Sequence, residues 1–126
     1  MRLVLDAGAF IALERGDRAM WRRVRQQVVN ESRPITHGGV VAQVWRGGSG
    51  RQAPLARALA FTDIVGLDHR LGRDAGVLLS RSGASDAIDA AVVALAGSDD
   101  QIATSDPDDL LRLIAVSGRH IDVLTV

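Results

Sequence analysis

Leu3-Val4-Leu5-Asp6-Ala7-Gly8-Ala9-Phe10-Ile11-Ala12-Leu13 decides how the chain is read. Arg2 to Leu5 is a short, nearly continuous apolar run, the pattern of a strand covered on both faces, as in parallel sheets. It stops at Asp6, and Gly8 is expected to let the backbone turn into an apolar helix through Phe10, Ile11 and Leu13. Strand, turn and helix within so few residues make the opening of a βα unit.

The alternation continues outward from that start. Asp17 is placed to cap a helix on which Met20, Trp21, Val24 and Val28 recur at helical spacing, while Arg18, Arg22, Arg23 and Arg25 face elsewhere as the main basic surface. Pro34 to Thr36 reads as a brief strand. Gly38-Gly39 then precedes a helix with Val40, Val41, Val44 and Trp45 on one stripe, ended by Gly47-Gly48-Ser49-Gly50. A short helix with Leu55, Ala58 and Leu59 leads to Ile64-Val65-Gly66-Leu67, predicted as a buried strand, and to an amphipathic helix from His69 to Arg81. Ser85 to Ala96 is predicted as a strongly apolar helix, Gln101 to Thr104 as a strand, Asp108 to Val116 as a helix and Ile121 to Leu124 as the closing strand. This order predicts an α/β three-layer sandwich with a mostly parallel central sheet and helices on both faces. No repeat, low-complexity tract or linker interrupts it, so residues 1–126 are expected to form a single domain.

Composition narrows the chemistry. A chain of 126 residues, 47% hydrophobic, is long enough for one real core. It has no cysteine, so disulfides and thiolate metal sites are excluded, and any metal must sit on oxygen or imidazole. The opening strand does not look like a secretory leader and no apolar run is long enough for a bilayer, so a soluble, unprocessed, cytoplasmic protein without a membrane partner is expected. Formal charge is zero, yet residues 1 to 60 carry ten arginines against four acids and residues 61 to 126 five arginines against eleven acids. A basic half beside an acidic half suits a polyanion, and equally an ordinary solvated surface. Lysine is absent altogether.

The acids carry the functional reading. Ligands of open parallel sheets bind beyond the carboxyl ends of the strands, and Asp6 and Asp106 each follow a predicted strand. Taken alone, Asp106 reads as a helix cap, since Pro107 and the acids Asp108 and Asp109 suit a first turn. Asp89 is more telling, because it interrupts Ala87-Ile88 and Ala90-Ala91-Val92-Val93-Ala94-Leu95-Ala96 in a helix otherwise built for burial. Such a carboxylate needs a cation, a guanidinium or a helix amino terminus nearby. Asp86, on the same side, is read as a cap for that helix or a second metal contact. Converging carboxylates repel, and a hard divalent cation, Mg²⁺ or Mn²⁺, relieves the repulsion while promoting hydrolysis at phosphorus. With no cysteine, and with His37, His69 and His120 dispersed and read as surface or packing residues, no nucleophile and base pair competes with this reading.

Three segments together resemble the PIN domains of VapC-type toxins: Val4 to Leu13, Asp86 to Ala96, and Ile102-Ala103-Thr104-Ser105-Asp106. The resemblance implies a PIN-like fold, Mg²⁺- or Mn²⁺-dependent endoribonuclease activity on an RNA substrate, a homodimer, and a small antitoxin protein as partner. Position by position it assigns metal binding and catalysis to Asp6, Asp89 and Asp106, with Asp109 a nearby auxiliary; Asp86 and Thr104 are further auxiliary candidates. One position departs: the family's usual glutamate in the third helix is Gln43 here, a catalytic candidate whose amide can still bond a carboxylate or a metal-bound water. An adjacent charge pair is worth about 4 kcal/mol gross at ~4 Å and an effective dielectric of ~20, so losing that anion weakens cation binding. Glu14 is a candidate replacement, although a solvated surface role is the plainer reading. Arg18, Arg22, Arg46 and Arg51 are candidates to guide RNA. The competing reading is a catalytically weakened PIN-like module that binds RNA or an antitoxin without efficient cleavage. A phosphoacceptor receiver domain fits poorly without a lysine, and a dinucleotide-binding enzyme fits worse without G-x-G-x-x-G after the first strand.

Overall fold

The computed structural model describes residues 1–48 and 50–126, so Ser49 of the predicted glycine-rich stop lies outside the described residues. Five strands form one sheet: β1 (Leu3–Leu5), β2 (Ile35–His37), β3 (Asp63–Val65), β4 (Gln101–Thr104) and β5 (Asp122–Thr125). Their order is β3-β2-β1-β4-β5, and every neighbouring pair is parallel. Parallel neighbours cannot be joined by a tight turn, so each connection crosses a face of the sheet on helices.

The crossovers divide cleanly. α1 (Ala7–Glu14) and α2 (Arg18–Val29) lead from β1 to β2, and α3 (Gly38–Val44) and α4 (Ala53–Ala60) continue the same way to β3. α5 (His69–Ser82) and α6 (Ala87–Leu95) bring the chain back to β4, and α7 (Pro107–Ser117) carries it on to β5. Right-handed crossovers put the first four helices on one face and the last three on the other. The packing agrees: α1 lies against α2, α3 and α4, while α5, α6 and α7 lie against one another. The result is the expected three-layer α/β/α architecture.

The core follows the apolar runs. Val4, Leu5, Ile102 and Ala103 of the two central strands are fully buried, with Phe10 and Leu13 of α1 and Val92, Val93, Leu110 and Leu113 of α6 and α7. Each such side chain larger than alanine contributes about 1.5–3 kcal/mol of burial, an upper figure because the unfolded chain is itself partly compact.

Two expectations are corrected. The strand around Ile64 is the sheet's edge and not a buried strand: Ile64 is 47% exposed, and Arg33 crosses the edge to pair with Asp63 at 2.9 Å and reach the Ala60 carbonyl. Trp45 is 41% exposed just past the end of α3, outside the stripe formed by Val40 and Val44. Among the described residues no helix is long and apolar enough to cross a membrane.

Candidate active site

β1 and β4 are neighbours, yet the chain leaves β1 toward β2 and leaves β4 toward β5, in opposite directions across the sheet. Helices departing to opposite sides leave a crevice at the carboxyl ends of these two strands. The register places Leu5 opposite Ala103, so Asp6 and Thr104 come level there, with the Asp6 N–H donating to the Ala103 carbonyl at 3.2 Å. Gly8 serves this juxtaposition through size and not through a turn. It lies inside α1 without a positive φ, and a Cβ built on it would sit 2.8 Å from the Ser105 nitrogen and closer still to the Ser105 side chain. The loop after β4 can therefore rest directly on the start of α1.

Asp6 is the anchored acid. It caps α1, its Oδ1 accepting from the Ala9 N–H at 3.1 Å, and only 7% of the residue is exposed. Burial raises its pKa; the Thr104 hydroxyl and the Ala9 and Gly8 N–H groups oppose the rise, and the charge of Asp106 adds to it. Thr104 joins the two acids, because its fully buried hydroxyl bonds the Asp6 carboxylate while accepting the Asp106 N–H at 3.0 Å. Asp106 stands at the amino end of α7, as expected of a cap, but its carboxylate accepts no capping hydrogen bond and is exposed. Its backbone is held while its charge is left free.

Asp89 projects from the first turn of α6 toward the same crevice. Its pKa is pushed up to about 6, first by burial and then by the charges of Asp86, Asp6, Asp109 and Asp106. The crossovers thus bring acids from three parts of the chain together, with Asp89 in the field of the other four. Asp86 is the cap expected of it, its Oδ1 accepting from the N–H groups of Ile88 and Asp89 at 2.9 and 3.0 Å. Among the described residues the ion pairs are Arg33–Asp63 and His120–Asp122, so none of the five is matched by an arginine. Nor, among the described residues, do any three acid or histidine side chains close into a metal-ready cage. The donor chemistry fits a hard cation all the same: carboxylate oxygens alone, like charges unrelieved, and Asp106 free to turn inward.

None of the remaining candidates bonds these acids among the described hydrogen bonds. Gln43 is exposed on α3, and only its backbone carbonyl is engaged among the described hydrogen bonds, by Arg46 at 3.1 Å. Glu14 ends α1, a helix about 12 Å long, at the far end from Asp6. Its carboxylate accepts from the Gln52 amide at 3.1 Å, and it is not among the charges felt by Asp6 or Asp89. The Arg46 guanidinium bonds the carbonyls of Ala42, Gln43 and Trp45 and so finishes α3. Arg18, Arg22 and Arg51 are exposed.

A known protein shares this arrangement of strands and helices. One chain of the crystal structure of VapBC2 from Rickettsia felis bound to a DNA fragment from their promoter superposes with a TM-score of 0.73, over 98% of this chain and 99% of that one. Identity is 13%, so the likeness establishes the fold, which is PIN-like. No family model matches the chain, and no curated protein matches it by sequence.

One structural residue escaped the sequence reading in its detail. His37 is fully buried, its Nδ1 accepting the Gly39 N–H at 3.0 Å and its Nε2–H donating to the Ile88 carbonyl at 3.1 Å. That pattern requires the neutral ring, and burial lowers its pKa. His37 therefore ties the start of α3 to the turn of α6 that carries Asp89. The signal was His37-Gly38-Gly39 itself: Gly39 is small because a Cβ there would press on the His37 ring and the Ile88 side chain.

Proposed function

We propose that this chain is a metal-dependent endoribonuclease that hydrolyses RNA phosphodiester bonds at the carboxyl rim of β1 and β4, as the toxin of a toxin–antitoxin pair. The observation that carries the reading is Asp89, a carboxylate raised to about 6 by burial and four neighbouring acids with no arginine to offset them. Asp6, Asp89 and Asp106 are the residues that would hold Mg²⁺ or Mn²⁺, with Asp86, Asp109 and Thr104 in support. Bound there, the cation supplies positive charge opposite the phosphate oxygens and makes water more acidic.

The chain's own residues divide the work. Asp6, fixed by Ala9 and Thr104, is the rigid reference. Asp106, fixed only at its backbone, adjusts to what enters. Asp89 keeps its proton up to about pH 6 and is ionised above it, so cation binding strengthens as pH rises through about 6. Histidine chemistry does not compete, because both ring nitrogens of His37 are engaged and His69 and His120 are exposed elsewhere. Arg18, Arg22 and Arg51, all exposed, remain the candidates to meet the RNA backbone, whereas Arg46 is committed to the end of α3.

The Rickettsia felis neighbour is VapBC2 bound to a DNA fragment from its promoter, and that likeness supports a small antitoxin as this chain's partner. A homodimer and a cytoplasmic setting belong to the same proposal. The weakened, binding-only reading keeps one specific support, the neutral Gln43 together with the open arrangement of the acids. Cleavage of total RNA at saturating Mn²⁺, with and without EDTA, separates the two. We expect EDTA-sensitive cleavage that falls at least about 100-fold in Asp89→Asn. RNA binding with no Mn²⁺-dependent cleavage would leave the binding-only reading standing, and Asp89→Asn cutting at the wild-type rate would remove Asp89 from the site.

A further inference from the structure

On the far side of α1 a cleft of about 380 Å³ is lined by Gly16, Arg18, Trp21, Arg25, Arg57 and Phe61. Three of its six residues are arginine, two are aromatic and none is acidic. All three arginines are exposed, and among the described residues none of them belongs to an ion pair. The Arg57 guanidinium lies over the Trp21 ring, 6.0 Å from its centroid, and the indole edge is pinned by its N–H donating to the Leu13 carbonyl at 2.9 Å. Trp21 and Phe61, whose types suggest core, are only partly buried and form the floor of this cleft.

We infer that this cleft is a base-stacking subsite for single-stranded RNA, in which a nucleobase lies against the Trp21–Arg57 stack and the Phe61 ring while Arg18 and Arg25 meet the flanking phosphates. Flat aromatic and guanidinium surfaces beside uncompensated positive charge are what a single strand uses, since every base has a face and every link a charge. An acidic peptide is the weaker fit: an extended one finds no strand edge among α1, α2 and α4, and a helical one needs a row of apolar anchor sites where this lining offers two rings among three arginines. Its position favours the same ligand. A second cleft, of about 540 Å³, runs along α1, shares Gly16 with this one, and at its other end is lined by Gly8 and Ser105, which flank Asp6 and Asp106. A strand seated on Trp21 and Arg57 is thereby led past Arg15 and the capping Asp17 toward the acid rim.

The inference rests on the ribonuclease reading for its ligand, and binding without cleavage tests it separately. Trp45→Phe leaves Trp21 as the sole tryptophan and alters only an exposed side chain. In EDTA, short single-stranded oligoadenylate should quench Trp21 emission in this variant. Adding Arg57→Gln or Arg25→Gln should weaken that binding about tenfold each, and Arg25→Gln should also make its salt dependence shallower by about 0.7, one lost phosphate contact. Both arginines are exposed, and unchanged circular dichroism would confirm that the variants fold. Unaltered affinity in both variants overturns the subsite, as does inorganic polyphosphate binding as tightly as oligoadenylate, which would reduce it to a charged surface. Oligoglutamate binding more tightly than oligoadenylate would assign the cleft to an acidic protein partner instead. None of these outcomes touches the acid rim, whose failure is read from Mn²⁺-dependent cleavage alone.

Discussion

The two rims of the sheet treat acid side chains in opposite ways. At the amino end of β4, Asp100 is 9% exposed and both of its oxygens are satisfied by backbone: Oδ1 accepts from the Arg2 N–H at 2.9 Å and Oδ2 from the Gly97 N–H at 2.8 Å. At the carboxyl end, Asp6 has one short backbone bond, Asp106 leaves its carboxylate unbonded, and Asp89 is surrounded by like charge. Burial alone therefore does not distinguish the two rims. What separates the rims is whether the charge has been answered within the chain, and at the carboxyl rim it has not.

Removing charge at each rim should move stability in opposite directions. Asp100→Ala strips two buried charge-assisted hydrogen bonds and leaves two N–H groups without partners, which should cost about 2–4 kcal/mol in denaturant unfolding while cleavage per folded molecule stays unchanged. Asp89→Asn should leave the metal-free protein as stable as the parent or more so at pH 7. The sign follows from the raised pKa: folded Asp89 binds its proton more tightly than the unfolded chain, so its effect on stability becomes less favourable as pH rises from about 4 to about 6 and is constant above. A Tm profile in EDTA should show that decline in the parent and lose it in Asp89→Asn. Parallel profiles would mean that Asp89 is solvated, and the contrast between the rims would collapse.

Gly8→Ala probes how closely the carboxyl rim is assembled. The added methyl meets Ser105 backbone as well as side chain, so the loop bearing Asp106 has to move. We expect a stability loss of about 1–3 kcal/mol, typical of overpacking, and reduced cleavage even where the variant is fully folded. Full activity in the folded variant would show that the spacing of Asp6 and Asp106 does not matter.

The parts of this architecture that were legible in the sequence are the local ones. Apolar runs and helical spacing located every element to within a few residues, and Asp86 was recognisable as a cap because a cap is a matter of three consecutive residues. Asp89 was legible because a charge within an apolar helix conflicts with its surroundings. Sheet order was not legible. Ile64-Val65-Gly66-Leu67 has the composition of a buried strand, and only pairing with β2 on one side and nothing on the other makes it an edge. The Trp21, Arg57 and Phe61 cleft was hidden for the same reason, since α2 and α4 meet only through the fold. Asp106 fell between: its capping position was readable, but not that its carboxylate would stay unbonded.

Gln43 offers the smallest and sharpest test of the comparison, because it asks how much charge the carboxyl rim still lacks. The helix bearing it is tied through His37 to Ile88, next to Asp89, so a charge placed on α3 acts on a rim held in register with it. Gln43→Glu restores the anion that the PIN-domain resemblance implies, nearly without change of shape. Gross attraction for a cation at ~4 Å is about 4 kcal/mol at an effective dielectric of ~20, and solvent at this exposed site reduces it. About tenfold tighter Mn²⁺ binding by calorimetry is the expected gain, with cleavage at limiting Mn²⁺ rising in proportion. In EDTA the same substitution should make Asp89 harder to ionise, shifting the stability profile to higher pH. If neither Mn²⁺ affinity nor that profile moves, Gln43 stands outside the field of the acids, and the binding-only reading loses its support from this position.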